Sequence, residues 1–350
     1  MRRYRVTACA LLLLCGSAFA LDFQSGSIRL SVDEKTGRFS VYQLAEDQRW
    51  APLLYDQETR TSYASLSVDG KVYRLGESGD FRVSLLSKTA DGCVIEHRSK
   101  ELVVRQTFTL AKSGDSAYGV AIAYELENVG GTARVVGLRV LLDTWLGEKS
   151  GPHFTNKNGP VANETLLEAD SGLEYVKSAS GPTSLSILLS APASVPDTTL
   201  LANWKRLNDA SWSFDSYATR NFTLLPYSIN DSAVALYYNP ETLAPKAKRN
   251  ISLFLSTADP EAAAILAGAA DGATTDAAAG SATEPTTQAT DTATAAPSEL
   301  SSSVMTELLS ARALLARINE AIAAGGTLSD EELAAIRELL ARLEERAAGY

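Results

Sequence analysis

The sequence has little cysteine, histidine or methionine: 3, 2 and 2 residues in 350. Three cysteines cannot frame a disulfide-stapled secreted scaffold. Two histidines, His97 and His153, cannot build a histidine-rich metal centre, and no metal or cofactor is expected from the sequence. Basic residues are outnumbered 32 to 42, and a net charge of −10 argues against a surface made to coat nucleic acid or anionic lipid. After the first twenty residues no run approaches the roughly 20 apolar residues of a membrane helix, so no membrane span is expected. The nucleophile elbow G-x-S-x-G, the dinucleotide fingerprint G-x-G-x-x-G, a phosphate loop and the zinc motif H-E-x-x-H are all missing. Aromatic residues are missing from Leu255 to Gly349. With 45 % apolar and 21 % charged residues, the chain as a whole is not of disordered composition.

The first twenty residues have the layout of an export signal. Arg2, Arg3 and Arg5 precede a short apolar run through Leu11–Leu14, and Ala18-Phe19-Ala20 is a small-x-small cleavage site. The chain is therefore expected to cross the inner membrane and to work in the periplasm or at the cell surface. Loss of residues 1–20 takes three arginines and two cysteines. The mature chain then carries −13, and Cys93 is left without an intrachain partner.

Three regions follow. Residues 21–258 alternate apolar and polar positions with the period of two that a half-buried strand requires. Examples are Ile28-Leu30-Val32, Phe39-Val41, Leu66-Val68, Phe81-Val83-Leu85 and Val120-Ile122-Tyr124-Leu126. The pattern recurs at Val136-Leu138-Val140-Leu142, Leu185-Ile187-Leu189, Val234-Leu236-Tyr238 and Ile251-Leu253-Leu255. Asp69-Gly70 between Val68 and Lys71 is a two-residue hairpin signal, because both residues tolerate positive φ. Many strands at short spacing predict a large antiparallel β-sandwich. Residues 259–297 hold 15 Ala and 8 Thr in 39 positions, with six acidic residues and no basic one, which predicts a flexible linker. Its start, Pro260 to Leu266, can form a short helix against the sandwich.

Residues 298–350 predict an α-helical hairpin of coiled-coil type. Val304, Leu308, Leu315, Ile318 and Ile322 lie on one heptad-like seam, and Leu333, Ile336, Leu340 and Leu343 on a second. Gly325-Gly326 ends the first helix, and Ser329 with Glu332 forms a capping box for the second. Two helices of this length bury little alone. The seam therefore suits pairing with a protein partner or a second copy of the chain.

The densest polar cluster is Asp143-Thr144-Trp145-Leu146-Gly147-Glu148, followed by His153-Phe154. It follows a strand, where binding groups are commonly carried. Carboxylates near a histidine can do acid–base work, and an exposed indole can stack on a sugar face. Asp143, Trp145, His153, Trp204 and Trp212 are the candidate carbohydrate contacts, each tryptophan having core packing as its alternative.

The stretch from Ala121 to Asn128, then Val136-Gly137-Leu138-Arg139 and His153-Phe154, resembles the galactose-mutarotase-like sandwich family. The resemblance implies a large antiparallel sandwich over most of residues 21–258. It implies sugar chemistry only in part, because the family's second histidine has no match: His97 lies on an earlier strand outside the motif. Three functions compete. The first is a non-enzymatic envelope scaffold or adaptor whose tail drives assembly, and it is the one the modular layout favours. The second is a carbohydrate-binding protein that uses the sandwich surface. The third is a sugar epimerase acting through His153 with Asp143 or Glu148.

Overall fold

Apolar alternation, read strand by strand, accounts for most of the structure. Each alternating segment named above lies in a strand to within one residue at its ends. The computed structural model describes residues 20–57, 60–148, 151–263 and 265–266. These all fall in the first of the chain's two units, residues 1–280; the expected helical hairpin belongs to the second and lies outside the described residues.

The strands run in chain order as β1 (Ala20–Ser25), β2 (Ile28–Asp33), β3 (Phe39–Leu44), β4 (Trp50–Pro52), β5 (Tyr63–Val68), β6 (Lys71–Arg74), β7 (Arg82–Lys88), β8 (Gly92–Arg98), β9 (Leu102–Ser113) and β10 (Ser116–Asn128). They continue as β11 (Arg134–Asp143), β12 (Phe154–Asn156), β13 (Gly159–Val161), β14 (Thr165–Glu168), β15 (Tyr175–Ser180), β16 (Thr183–Leu188), β17 (Thr198–Asn203), β18 (Ser232–Leu243) and β19 (Lys248–Ser256). A four-stranded sheet has the order β1-β2-β3-β4. A nine-stranded sheet has the order β13-β12-β15-β16-β19-β10-β9-β8-β7. A six-stranded sheet has the order β14-β17-β18-β11-β5-β6. The pairings are antiparallel, which confirms a mainly β architecture.

One core is shared by all three sheets. It takes Leu30 and Phe39 from the small sheet, Phe108, Ile122 and Leu253 from the large one, and Leu66, Leu138 and Leu236 from the third. The strand β11 shows how the period of two divides the faces. Val136, Leu138, Val140 and Leu142 enter this core, while Leu141 points the other way into a second cluster with Tyr63, Leu200, Ala233 and Tyr237. The six-stranded sheet is therefore covered on both faces.

The cover on its outer face is short. Helix α1 (Trp204–Asp209) has six residues, too few to stand alone in water. Asn203 caps its start by accepting the Arg206 N–H at 3.2 Å. Its other end is held from the sheet below. The Tyr63 hydroxyl donates to Asn208 Oδ1 at 2.9 Å. Arg74 donates to the Asn208 carbonyl, and Arg139 Nη1 donates to the Ala210 carbonyl at 3.1 Å. The buried Arg139 and the partly buried Arg74 thus satisfy carbonyls that a helix leaves open at its C-terminus.

Two local expectations are met in detail. Asp69 (φ 50°) and Gly70 (φ 84°) form the turn between β5 and β6. Residues 260–263 make a helical turn that buries Ala263 against Tyr118, Leu188 and Phe254.

Candidate functional site

The strand ends bring together residues far apart in sequence. Asp143 is the last residue of β11 and pairs with Ala233 of β18. That register places Asp231, just ahead of β18, beside it. Glu148 follows β11 and accepts the Ser232 N–H at 3.2 Å. Carboxylate oxygens of Asp143, Glu148 and Asp231 all lie within 4.8 Å of one another. The Asp143 N–H donates to Ser62 Oγ at 3.0 Å, and its carboxyl accepts the Thr61 hydroxyl.

Burial decides the charge of this cluster. Taking the Asp143 carboxyl out of water pushes its pKa up to about 8; the Thr61 hydrogen bond opposes the shift and the Asp231 charge adds to it. Burial also raises Asp231, against a hydrogen bond from Ser228. In the folded protein Asp143 therefore holds a proton at neutral pH and can donate it. Three carboxyl groups are also the oxygen chemistry that a hard divalent cation takes.

Three further candidates surround this point. Trp204 donates its backbone N–H to the Asp231 carbonyl at 3.0 Å and its indole N–H to the Thr61 carbonyl at 3.4 Å. Trp145 leans on Tyr55 with ring centroids 5.6 Å apart, and the Tyr55 N–H donates to the Asp143 carbonyl at 2.9 Å. His153 rests on Phe222, centroids 4.6 Å apart, and the Phe222 carbonyl accepts the Asp231 N–H at 3.1 Å. Burial holds the His153 pKa below its usual value, so its ring is neutral at pH 7. Four of the five candidates from the sequence are thus gathered at one end of the sandwich. Asp143 itself is buried beneath that end.

The fifth, Trp212, lies elsewhere. It lines a cleft of about 270 Å³ on the outer face of the six-stranded sheet. The floor is Leu166 of β14, Thr198 and Leu200 of β17, and Tyr237 and Asn239 of β18; the wall is Trp212, Ser213 and Phe214. Trp212 stands edge-on to Tyr237, with centroids 5.7 Å apart and planes at 88°. The wall is anchored from behind. Arg206 lies 4.7 Å over Phe214 and pairs with the buried Glu164, and Arg139 grips the Ala210 carbonyl two residues before Trp212. A smaller cleft of about 180 Å³ is lined by Ala51, Pro52, Trp145, Leu146, Gly147, Ser180 and Thr183, with Trp145 its only aromatic ring.

Asp231, Tyr237, Phe214, Thr198 and Asn239 were not legible as site residues. Tyr237 lies in Ala233-Val234-Ala235-Leu236-Tyr237-Tyr238, a run apolar on both faces that reads as core. The available signal was Trp212 and Phe214 interleaved with serines just after α1, which is unusual for a plain connection.

No protein-family model and no curated protein matches the chain. Solved structures do. A galactose mutarotase-like protein from Lactobacillus casei matches with 12 % identity over 68 % of this chain and 99 % of its own, at TM-score 0.43. An aldose epimerase homologue from C. elegans matches with 11 % identity over 69 % of this chain and 100 % of its own, at TM-score 0.42. A mutant heparan sulfate lyase from Pedobacter heparinus matches with 10 % identity over 69 % of this chain and 35 % of its own, at TM-score 0.36. The likeness is one of fold, of the galactose-mutarotase-like type. It also corrects one expectation: the matched structures are of epimerase and lyase type, so the assignment of this chain as a non-enzyme is withdrawn.

Proposed function

We propose that this protein binds a carbohydrate in the cleft between the outer face of the six-stranded sheet and the Trp212–Phe214 wall. One observation carries the reading. Two partly exposed aromatic rings, Trp212 and Phe214, backed by the buried Tyr237, line one open cleft with Thr198, Ser213 and Asn239. A sugar ring has an apolar face and a rim of hydroxyls, and this lining offers a surface for each. The volume lies just below the roughly 300–1,000 Å³ typical of drug-sized ligand sites, a size suited to a single ring.

A glycan array probed with the full chain tests it. Trp212→Ala should weaken the leading signals by about tenfold or more, as loss of a stacking indole does. Trp145→Ala should leave them in place. Signals that survive Trp212→Ala unchanged would overturn the reading.

A second reading rests on the protonated Asp143 beside Asp231 and Glu148. A carboxyl group that burial keeps protonated near neutral pH can serve as the acid in sugar chemistry. If this cluster turns over a glycan, Asp143→Asn should abolish turnover, because the amide has no proton to give. Undiminished turnover in that variant would reject the assignment.

A further inference from the structure

The three most exposed large hydrophobic residues among the described residues lie within five positions of one another. Leu225 is 72 % exposed, Ile229 71 % and Tyr227 69 %. Scattered single apolar side chains are normal on a surface, but three on one turn are not explained that way.

The turn is built rather than loose. Leu224 donates its N–H to the Ser228 carbonyl at 2.9 Å, and the Tyr227 and Ser228 N–H groups return to the Leu224 carbonyl at 2.8 and 2.9 Å. Pro226 has no N–H to satisfy. The base is fixed as well. Thr223 Oγ1 accepts the Asn230 N–H at 3.1 Å, and Asn203 Nδ2 donates to Ser228 Oγ at 2.9 Å. The fold therefore holds an apolar tip outward on a braced stem.

We propose that this tip inserts into the surface of a phospholipid bilayer. Three features favour a bilayer over a protein partner. The N–H groups of Leu224, Tyr227 and Ser228 are bonded within the turn and Pro226 has none, which lowers the cost of taking the segment out of water. The tip is narrow: three side chains offer at most a few hundred Å², against about 800 Å² per partner in a stable protein interface. The tip itself also has the order of an interfacial anchor: between the aliphatic Leu225 and Ile229, Tyr227 carries a polar hydroxyl and has the long-stemmed cation of Lys205 over its ring at 5.4 Å. Tyrosines and such cations settle at the headgroup level while aliphatic tips go deeper. Because the whole chain carries −10, attraction to anionic headgroups is not the driving force. Binding is expected to be weak, reversible and insensitive to salt.

Flotation of the full chain with phosphatidylcholine vesicles, at low and at high salt, is the test. The natural chain should float with the vesicles in both. Leu225→Ser/Ile229→Ser should reduce the bound fraction about tenfold or more, and Ile229→Trp should raise it. Both substitutions change only exposed side chains, and far-UV circular dichroism identical to that of the natural chain confirms folding. A natural chain that stays at the bottom of the gradient would overturn the proposal, as would equal flotation of the double variant. Binding that needs phosphatidylglycerol and vanishes in salt would overturn it too, because it would show headgroup electrostatics rather than insertion.

Discussion

Two buried titratable side chains set opposite slopes on stability against pH. Asp143 in the folded protein has a pKa of about 8, far above the usual carboxylate value near 4. Between those values the folded state holds a proton that the unfolded chain has released, so this residue lowers stability as pH rises through the window. His97 is fully buried; desolvation holds its pKa near 4, partly offset by Gln106 Oε1 at 3.4 Å. The unfolded chain protonates this histidine near pH 6.5, so its contribution is present above that pH and is lost as pH falls toward 4. In the natural chain the two slopes partly cancel between pH 4 and 6.5. Urea unfolding of Asp143→Asn should therefore show a gain of roughly 1–3 kcal/mol at pH 8 and a smaller one at pH 5. The acid-side loss from His97 should then stand out. A variant no more stable than the natural chain at pH 8 would show that Asp143 is not held protonated by burial.

At the scale of elements, α1 and the wall behind Trp212 depend on the sheet beneath them. Arg139 is almost fully buried, on the outer face of β11, and its guanidinium reaches the Ala210 carbonyl. Arg139→Met keeps much of the apolar stem but leaves that carbonyl without its donor, at a cost of about 1–3 kcal/mol. Hydrogen exchange should quicken over residues 204–214 and glycan affinity should fall several-fold, while protection of β10 and β19 stays unchanged. Unaltered exchange in 204–214 would show that the wall stands without this clamp. Legibility in the sequence follows the same physics. Strands with one clean apolar face, such as β2 and β11, could be read directly. The long strand β9 could not, because the buried Gln106 interrupts its apolar face; Gln106 is accommodated there by donating to the Tyr124 hydroxyl at 3.0 Å. Helix α1 could not be read either, since six residues carry no helical period. At the sandwich end, Asp143, Trp145, His153 and Trp204 could be named from residue type and loop position. Asp231 could not, because only the pairing of β11 with β18 makes it a neighbour of Asp143.

At the scale of the whole molecule, the sequence joins an aromatic-bearing β body to a tail whose apolar residues recur at heptad-like spacing, with no ring before Tyr350. We propose that the seam associates, with a second copy or with a partner helix. Leu315→Asp/Leu340→Asp in the full chain should then lower the mass found by light scattering, or release a bound partner, while the far-UV signal of the β body persists. An unchanged mass and unchanged partners would leave the seam without that role.

Carbohydrate entry into the cleft at Trp212 is the proposal on which the rest depends. Titrating a ¹⁵N-labelled full chain with a glycan taken from the array tests it most directly, because each of the four indole N–H groups gives its own signal. The Trp212 signal should move with added glycan, while the Trp204 signal, tied to the Thr61 carbonyl, and the Trp145 signal should hold still. Movement of Trp145 or Trp204 with Trp212 unmoved would contradict it and place recognition at the Asp143 end of the sandwich.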